Sequence, residues 1–373
     1  MKHIKLFLIN AFYMFVMGSS YPLIPLYLEE LKVGVIEKGY ILTGAALLSA
    51  LSSLFWGYLS DRTGKRRIFV LAGGLGQTLT YLLLSFPQSM ETVIPLYLIS
   101  GFLGSATFTL VMASAGSSEG EVSEAMGNFW AGGSLGWAIG TAASGYIFEK
   151  YGLAFVFLIS TAFLASYTLL AYSSSRDLVK REEEKKRESS LPLMMALLLL
   201  LVFIFVCVDV LKNLYIPPHY AYELGIGPAV AMLTLSFTSW LEIPSIFFFS
   251  RLARKVSRWV IFASSFIFAA AYLALNCFAS DVFHAFTLMG FYSLVWGSFS
   301  VSSSTLVSEL TETYGTAYGA YNMVYSIANI AAPLLASSII DSFGYNTLLQ
   351  VFAVLSLASC FTAILSARKQ LSR

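Results

Sequence analysis

Gly57-Tyr-Leu-Ser-Asp61-Arg62-Thr-Gly64-Lys65-Arg66-Arg67 lies between two apolar runs, residues 38 to 60 and 67 to 86. Each run is close to the roughly 20 residues that an α-helix needs to cross a bilayer core. The polar stretch between them is short enough to be a tight turn. Gly64 supplies the backbone freedom that lets two helices meet closely. Lys65, Arg66 and Arg67 place a strong positive charge on one membrane face. Asp61 offers a negative charge to a neighbouring helix N-terminus or cation.

Working outward from this turn, the same alternation fills the chain. Of 373 residues, 57% are apolar and 12% charged, and the mean hydropathy is +0.73. No soluble core of this size hides so much apolar surface, so most of the chain is solvated by lipid. Continuous apolar runs without period-2 alternation exclude a β-barrel and leave membrane-spanning helices. The spans are predicted at 5–30, 38–60, 67–86, 93–117, 122–148, 153–173, 193–215, 227–250, 259–279, 282–306, 315–340 and 345–367. The expected class is therefore all-α, a polytopic membrane protein of twelve transmembrane helices. A cleaved signal peptide ending near Ser19 and Ser20 is disfavoured, because the first apolar run continues past that point to Leu28.

Charge fixes the orientation. With the N-terminus inside, the cytoplasmic face receives every Lys and Arg except Lys32, Lys38, Lys150 and Lys212. The positive-inside rule then puts both termini in the cytoplasm of an inner-membrane protein. The long polar segment SSSRDLVKREEEKKRESS, Ser173 to Ser190, falls near the middle and reads as a cytoplasmic linker. It divides an N-terminal bundle, 1–172, from a C-terminal bundle, 193–373, with the linker at 173–192. Cys207, Cys277 and Cys360 each sit inside separate apolar runs and give neither a disulfide framework nor a metal motif. His3, His219 and His284 are scattered. No metal or cofactor is expected, and no basic patch suggests nucleic acid.

The two halves repeat each other. Pro25, Tyr27, Glu30, Leu31 and Gly34 recur 193 positions later as Pro218, Tyr220, Glu223, Leu224 and Gly227. At the same offset Gly57 to Lys65 overlies Ser250 to Arg258, and at 192 Glu149-Lys-Tyr-Gly152 overlies Asp341-Ser-Phe-Gly344. Six helices followed by six in parallel orientation is the arrangement of carriers whose halves rock about a central site.

The stretch Gly57 to Arg67 resembles the G-x-L-A/S-D-R-x-G-R/K-R/K-R signature of the major facilitator superfamily, and position, topology and the degenerate second copy agree with that family. The resemblance implies two pseudo-symmetric six-helix bundles and a gating loop comprising Gly57, Asp61, Arg62, Gly64, Lys65, Arg66 and Arg67. It also implies that Asp61 and Arg62 help to latch the halves together in the outward-facing state. In the second copy Arg254 stands in place of the acid and Ser257 in place of the glycine. Latching is expected to be weaker there.

In the fifth predicted span, Gly132, Gly136 and Gly140 make a smooth stripe suited to close packing against a helix of the other half. The stripe overlaps the glycine-rich motif of the family's proton antiporters, with Trp137 where that motif would carry proline. No Lys or Arg occurs between Arg67 and Lys150, so the fourth span lacks the arginine typical of many drug-proton antiporters. The stretch Trp240-Leu-Glu242-Ile-Pro244, preceded by Asn213-Leu-Tyr215-Ile, looks like the corresponding part of bacterial sugar efflux transporters.

Ionisable residues inside spans are costly and face a partner or a water-filled cavity. Asp209 and Lys212, three apart in the seventh span, can pair on one helix face. Glu242 lies mid-span in the eighth, two residues before Pro244, which frees a backbone carbonyl. A carboxyl group at that depth can exchange a proton as its access to water changes, or it can form a fixed hydrogen bond. Glu242, Asp209 and Lys212 are the candidates for proton coupling or substrate binding. Asn10, Trp130, Trp240, Trp296 and Asn322 are candidates to line an amphipathic cavity.

These features predict a monomeric secondary transporter that moves a small amphipathic solute, a sugar or a drug-like compound, by proton-coupled efflux. Proton-coupled uptake of a small metabolite is the alternative. A membrane-embedded lipid-modifying enzyme needs clustered His, Asp or Ser at a water-lipid boundary, which this sequence does not offer.

Overall fold

A computed structural model of the chain describes residues 2–63, 65–86, 89–116, 122–174, 193–253, 255–310 and 314–371. These residues are almost entirely helical. In chain order the helices are α1 (Lys2–Ser20), α2 (Leu23–Glu30), α3 (Val35–Thr63), α4 (Arg66–Leu84), α5 (Met90–Gly116), α6 (Val122–Tyr151) and α7 (Leu153–Ser174). There follow α8 (Leu193–Leu214), α9 (Ile216–Pro218), a π-helical turn (His219–Glu223), α10 (Pro228–Leu252), α11 (Arg258–Asn276), α12 (Val282–Glu309), α13 (Tyr314–Phe343) and α14 (Tyr345–Leu371). Ten stretches among the described residues are long and apolar enough to cross a membrane, with α1–α2 forming one and α8 through the π-helical turn another. The remaining long helices, α5 and α6, have 27 and 30 residues, and at about 1.5 Å per residue both exceed the bilayer core. The chain is thus a multi-pass helical membrane protein of twelve spans.

The internal repeat is written into the backbone. The first span breaks after Ser20, before Pro22 and Pro25, and the seventh breaks after Leu214, before Pro217 and Pro218. Proline removes an amide donor and disfavours helix in the residue before it, so both breaks share one cause. Lys32 and Gly225, 193 apart, adopt left-handed backbone with φ of 56° and 71°. Gly152 and Gly344, 192 apart, do the same with φ of 80° and 85°. Each of these two glycines donates its amide to the carbonyl four residues earlier, Phe148 at 2.8 Å and Ile340 at 2.9 Å, and so closes one helix before the next begins.

The chain forms two compact units. The first comprises Met1–Leu31, Gly44–Glu184 and Gly227–Ser236, and the second Lys32–Thr43, Lys185–Ile226 and Phe237–Arg373. By this division α3 and α10 each contribute residues to both units. In the first unit Gly145 of α6 leaves room for Ala229 and Met232 of α10, and Ser236 Oγ donates to Ala138 O at 2.8 Å. In the second unit Gly39 of α3 lies against Ser337 and Pro333 of α13, and Thr43 Oγ1 donates to Ile330 O at 3.1 Å.

Inside the first unit, α1 and α6 form the closest seam. A Cβ added at Gly132, Gly136 or Gly140 would land on the carbonyl of Phe7, Ala11 or Phe15, and one at Gly18 on Trp137. The glycine stripe thus packs on α1 of its own half, not on a helix of the second half as the sequence suggested. Four-residue spacing reports a close contact but not its partner. Inside the second unit α8 is buried on most sides, from Leu198 to Leu214, with Phe205 stacked on Phe299 at 3.5 Å.

Candidate functional site

A charged cluster lies inside the second unit, on α8, α10 and α12. Asp209 and Lys212 occupy successive turns of one α8 face, and Lys212 Nζ sits 3.7 Å from Asp209 Oδ1. The lysine side chain is only 6% exposed and the aspartate 20%. Tyr292 of α12 donates its hydroxyl to Asp209 Oδ1 at 2.9 Å, while Lys212 Nζ rests 4.7 Å from the centre of the same ring. One tyrosine therefore serves both ends of the ion pair, as hydrogen-bond donor to the acid and as π-face to the cation. Asn213 Nδ2 donates to Asp209 Oδ2 at 3.0 Å. Asp209 thus accepts hydrogen bonds at both oxygens.

Glu242 of α10 completes the cluster. It is buried, 7% exposed, and its charge interacts with Lys212 and Asp209. It takes part in no hydrogen bond or ion pair within 4.0 Å among the described residues. The two acids on α8 and α10 therefore share one lysine, which contacts only one of them here. With Glu242 protonated the three groups sum to zero charge, and with Glu242 ionised they sum to one negative charge. In a low-dielectric surround that difference is large enough to bias a conformational equilibrium.

The structure thus brings Asp209, Lys212 and Glu242 together, and it adds Tyr292 and Asn213, which the sequence analysis did not select. Asn213 carries a usable signal, because it lies four residues from Asp209 on the same helix face. Tyr292 sits in the unremarkable run Gly290-Phe-Tyr-Ser293, and only tertiary packing reveals it.

The proposed cavity residues do not join this cluster. Trp240 is two residues, about 200° of helix turn, from Glu242. It is 49% exposed, with Leu233, Phe237 and Phe247 also exposed on the helix, whereas Glu242 is buried. Trp296 lies tilted beside the stacked Phe205–Phe299 pair, at 6.4 Å and 6.0 Å between centroids. Asn322 is exposed, and its carbonyl accepts from Ser326 at 3.2 Å. Asn10 is buried in the first unit beside Gly133. The side chain of Trp130 lies outside the described residues.

In the gating loop Gly57 lies within α3, and the side chains of Asp61 and Arg66, together with Gly64, lie outside the described residues. Arg62 and Lys65 are exposed. Arg67 places its guanidinium 3.9 Å from the centre of the Tyr172 ring, which ties the start of α4 to the end of α7. In the second copy of the loop Arg258 Nε instead meets Glu309 Oε1 at 3.1 Å, joining α11 to the end of α12. Arg254 lies outside the described residues.

Two repeated helical bundles, with a charged cluster buried inside a lipid-spanning unit, define an integral-membrane carrier. The chain belongs to the Major Facilitator Superfamily, whose family profile matches residues 6–211 and again 197–372. It is 24% identical over 366 residues to the "Multi-drug resistance efflux pump PmrA" of Streptococcus pneumoniae, covering 92% of this chain and 89% of that protein. It is 26% identical over 378 residues to the "Multidrug resistance protein MdtG" of Salmonella schwarzengrund, covering 94% and 92%. Among solved structures, the nucleoside transporter NupG superposes with a TM-score of 0.75 at 13% identity, over 97% of this chain and 98% of that one. A POT family transporter in complex with a thioalcohol-conjugated peptide superposes with a TM-score of 0.82 at 11% identity, over 98% and 96%. At these identities the structures speak for the fold. The chain is a secondary transporter of a small molecule.

Proposed function

We propose that this transporter exports a small amphipathic, drug-like solute from the cytoplasm in exchange for protons, with Glu242, Asp209 and Lys212 as the coupling groups. The supporting observation is the arrangement of Glu242, a buried carboxyl without a hydrogen-bond partner among the described residues, which shares Lys212 with Asp209. When Glu242 carries a proton the cluster is neutral, and passage through a closed, dehydrated state costs less than it does for a charged one. When the proton leaves, Glu242 competes with Asp209 for Lys212, which favours the alternative arrangement. Alternating access then follows as a population shift governed by a single proton.

Export as the direction is supported by the multidrug efflux names of full-length relatives. The placement of both termini in the cytoplasm of an inner membrane rests on the distribution of Lys and Arg. The protein acts as a monomer, each chain carrying its own two units. Asp61 and Arg62 latch the cytoplasmic face of the outward-facing state, and Gly57, Gly64, Lys65, Arg66 and Arg67 shape the turn that presents them.

The test is Glu242→Gln, which keeps shape and removes the titrating proton. In proteoliposomes loaded with ethidium as a lipophilic probe, pH-driven flux through the variant falls to the rate of empty vesicles, while expression and unfolding temperature stay at wild-type values. Wild-type pH-driven flux in that variant would remove Glu242 from the proton path.

A further inference from the structure

Beside the charged cluster, within the same unit, runs a file of hydroxyl groups. Tyr321 and Tyr325, four apart on α13, place their hydroxyls 3.3 Å apart and their rings at 5.0 Å between centroids. The Tyr321 hydroxyl is also 2.9 Å from Ser303 Oγ of α12. At the other end α13 packs along α8, with the Tyr215 hydroxyl donating to Pro333 O at 2.9 Å, and this brings Tyr325 near the level of Asp209. The order along the file is therefore Ser303, Tyr321, Tyr325, Asp209, and Lys212 stands next at 3.7 Å. Tyr321 lies about two turns after the start of α13 and Ser303 about two turns before the end of α12, the ends that adjoin residues 311–313. The charge distribution assigns these ends to the cytoplasmic side. Tyr325 lies one turn deeper, about 6 Å along the helix.

We propose that Ser303, Tyr321 and Tyr325 form a proton relay between the cytoplasmic side and the Asp209–Lys212–Glu242 cluster; this rests on the reading of that cluster as the coupling site. A hydroxyl is both donor and acceptor, so it can accept a proton on one lone pair as it releases its own to the next oxygen. At each oxygen one O–H bond forms and one breaks, and no charge remains once the transfer is complete. In the release direction the proton of Glu242 reaches the Asp209 carboxylate and is handed on to Tyr325. A proton of Tyr325 passes to Tyr321, and one from Tyr321 passes to the buried Ser303 and on towards the cytoplasmic side, leaving Glu242 ionised and available to Lys212. Tyr325 and Asp209 share no direct hydrogen bond among the described residues, so this step is carried by a bridging water or a side-chain rotation. The file explains why two tyrosines on a lipid-spanning helix direct their hydroxyls at each other and at a serine.

The relay makes a kinetic prediction that needs no substrate. Purified full-length protein in lipid nanodiscs is subjected to a pH jump, and the protonated-carboxyl band is followed by time-resolved infrared spectroscopy. Tyr321→Phe and Tyr325→Phe keep the rings and remove the hydroxyls. Each slows the approach to equilibrium by about a hundredfold, the low end of what a positioned proton carrier contributes. Neither moves the titration midpoint of the band. Ser303→Ala, which leaves both rings untouched, slows the approach in the same way. Wild-type rates in all three variants would overturn the relay, as would a shifted midpoint at unchanged rate, which is the signature of static hydrogen-bond partners. The two readings fail separately. If Glu242→Gln uncouples transport while the hydroxyl variants keep wild-type rates, the relay alone is lost. If Glu242→Gln leaves coupling intact while the band slows, the relay stands and the assignment of Glu242 falls.

Discussion

The first and seventh spans occupy equivalent places in the repeat, yet their cores carry different chemistry. At the 193-residue offset Ser19 and Ser20 of α1 correspond to Lys212 and Asn213 of α8, and Val16 corresponds to Asp209. In the first unit Ser19 Oγ meets Ser160 Oγ at 3.0 Å and Ser20 Oγ meets the Tyr81 hydroxyl at 2.9 Å. Both serines also donate to Val16 O, at 2.9 Å and 2.7 Å. These contacts are neutral, and small shifts leave them satisfied. In the second unit the same depth holds an ion pair at 3.7 Å and a second buried acid. Duplication supplied two similar frames. One was filled with local hydroxyl pairs that stabilise whatever the protonation state, and the other with charges whose balance depends on a single proton.

That contrast can be broken by mutation, and the effects should follow the charge. Lys212→Ala leaves Asp209 and Glu242 buried without their shared cation. It should cost about 3 to 5 kcal/mol, the range for removing one partner of a buried pair. A corresponding fall in thermal unfolding midpoint in detergent is expected, and Lys212→Ala combined with Asp209→Asn should recover much of it. An unchanged midpoint in the single variant would mean that the ion pair is not what distinguishes the second frame. Gly136→Val drives a branched side chain onto the carbonyl of Ala11 and forces α1 from α6, at about 1 to 3 kcal/mol for overpacking. The smallest effect belongs to the neutral counterpart. Ser20→Ala removes the hydroxyl bonded to Tyr81 and should cost about 1 kcal/mol with no change in pH-driven flux. A pH-dependent transport defect in that variant would place proton chemistry in the first unit as well.

Much of this was legible in one dimension. The twelve runs follow from the length of helix a bilayer requires, and the described helices begin and end within a few residues of those estimates. The recurrence of Pro25 as Pro218 and of Gly152 as Gly344 marked the repeat, whereas the breaks in the first and seventh spans and the paired left-handed turns emerged only from the backbone, at places where proline and glycine constrain it. Asp209, Lys212 and Glu242 were visible as well, since charge inside an apolar run is too costly to be incidental. Which residues answer those charges was not visible. Tyr292 and Tyr325 look like any aromatic residue in a membrane helix, and Trp240, two positions from Glu242, points away from it.

By itself the sequence determined solvent, span count, repeat and the cost of three buried charges, all of which depend on composition and local backbone constraint. Tertiary structure alone decided partners: that Gly136 meets α1, that one tyrosine holds both ends of an ion pair, and that Ser303 meets Tyr321. The physical reason is that partner choice depends on how helices are rotated and crossed against one another, and residue spacing along one helix constrains only its own face.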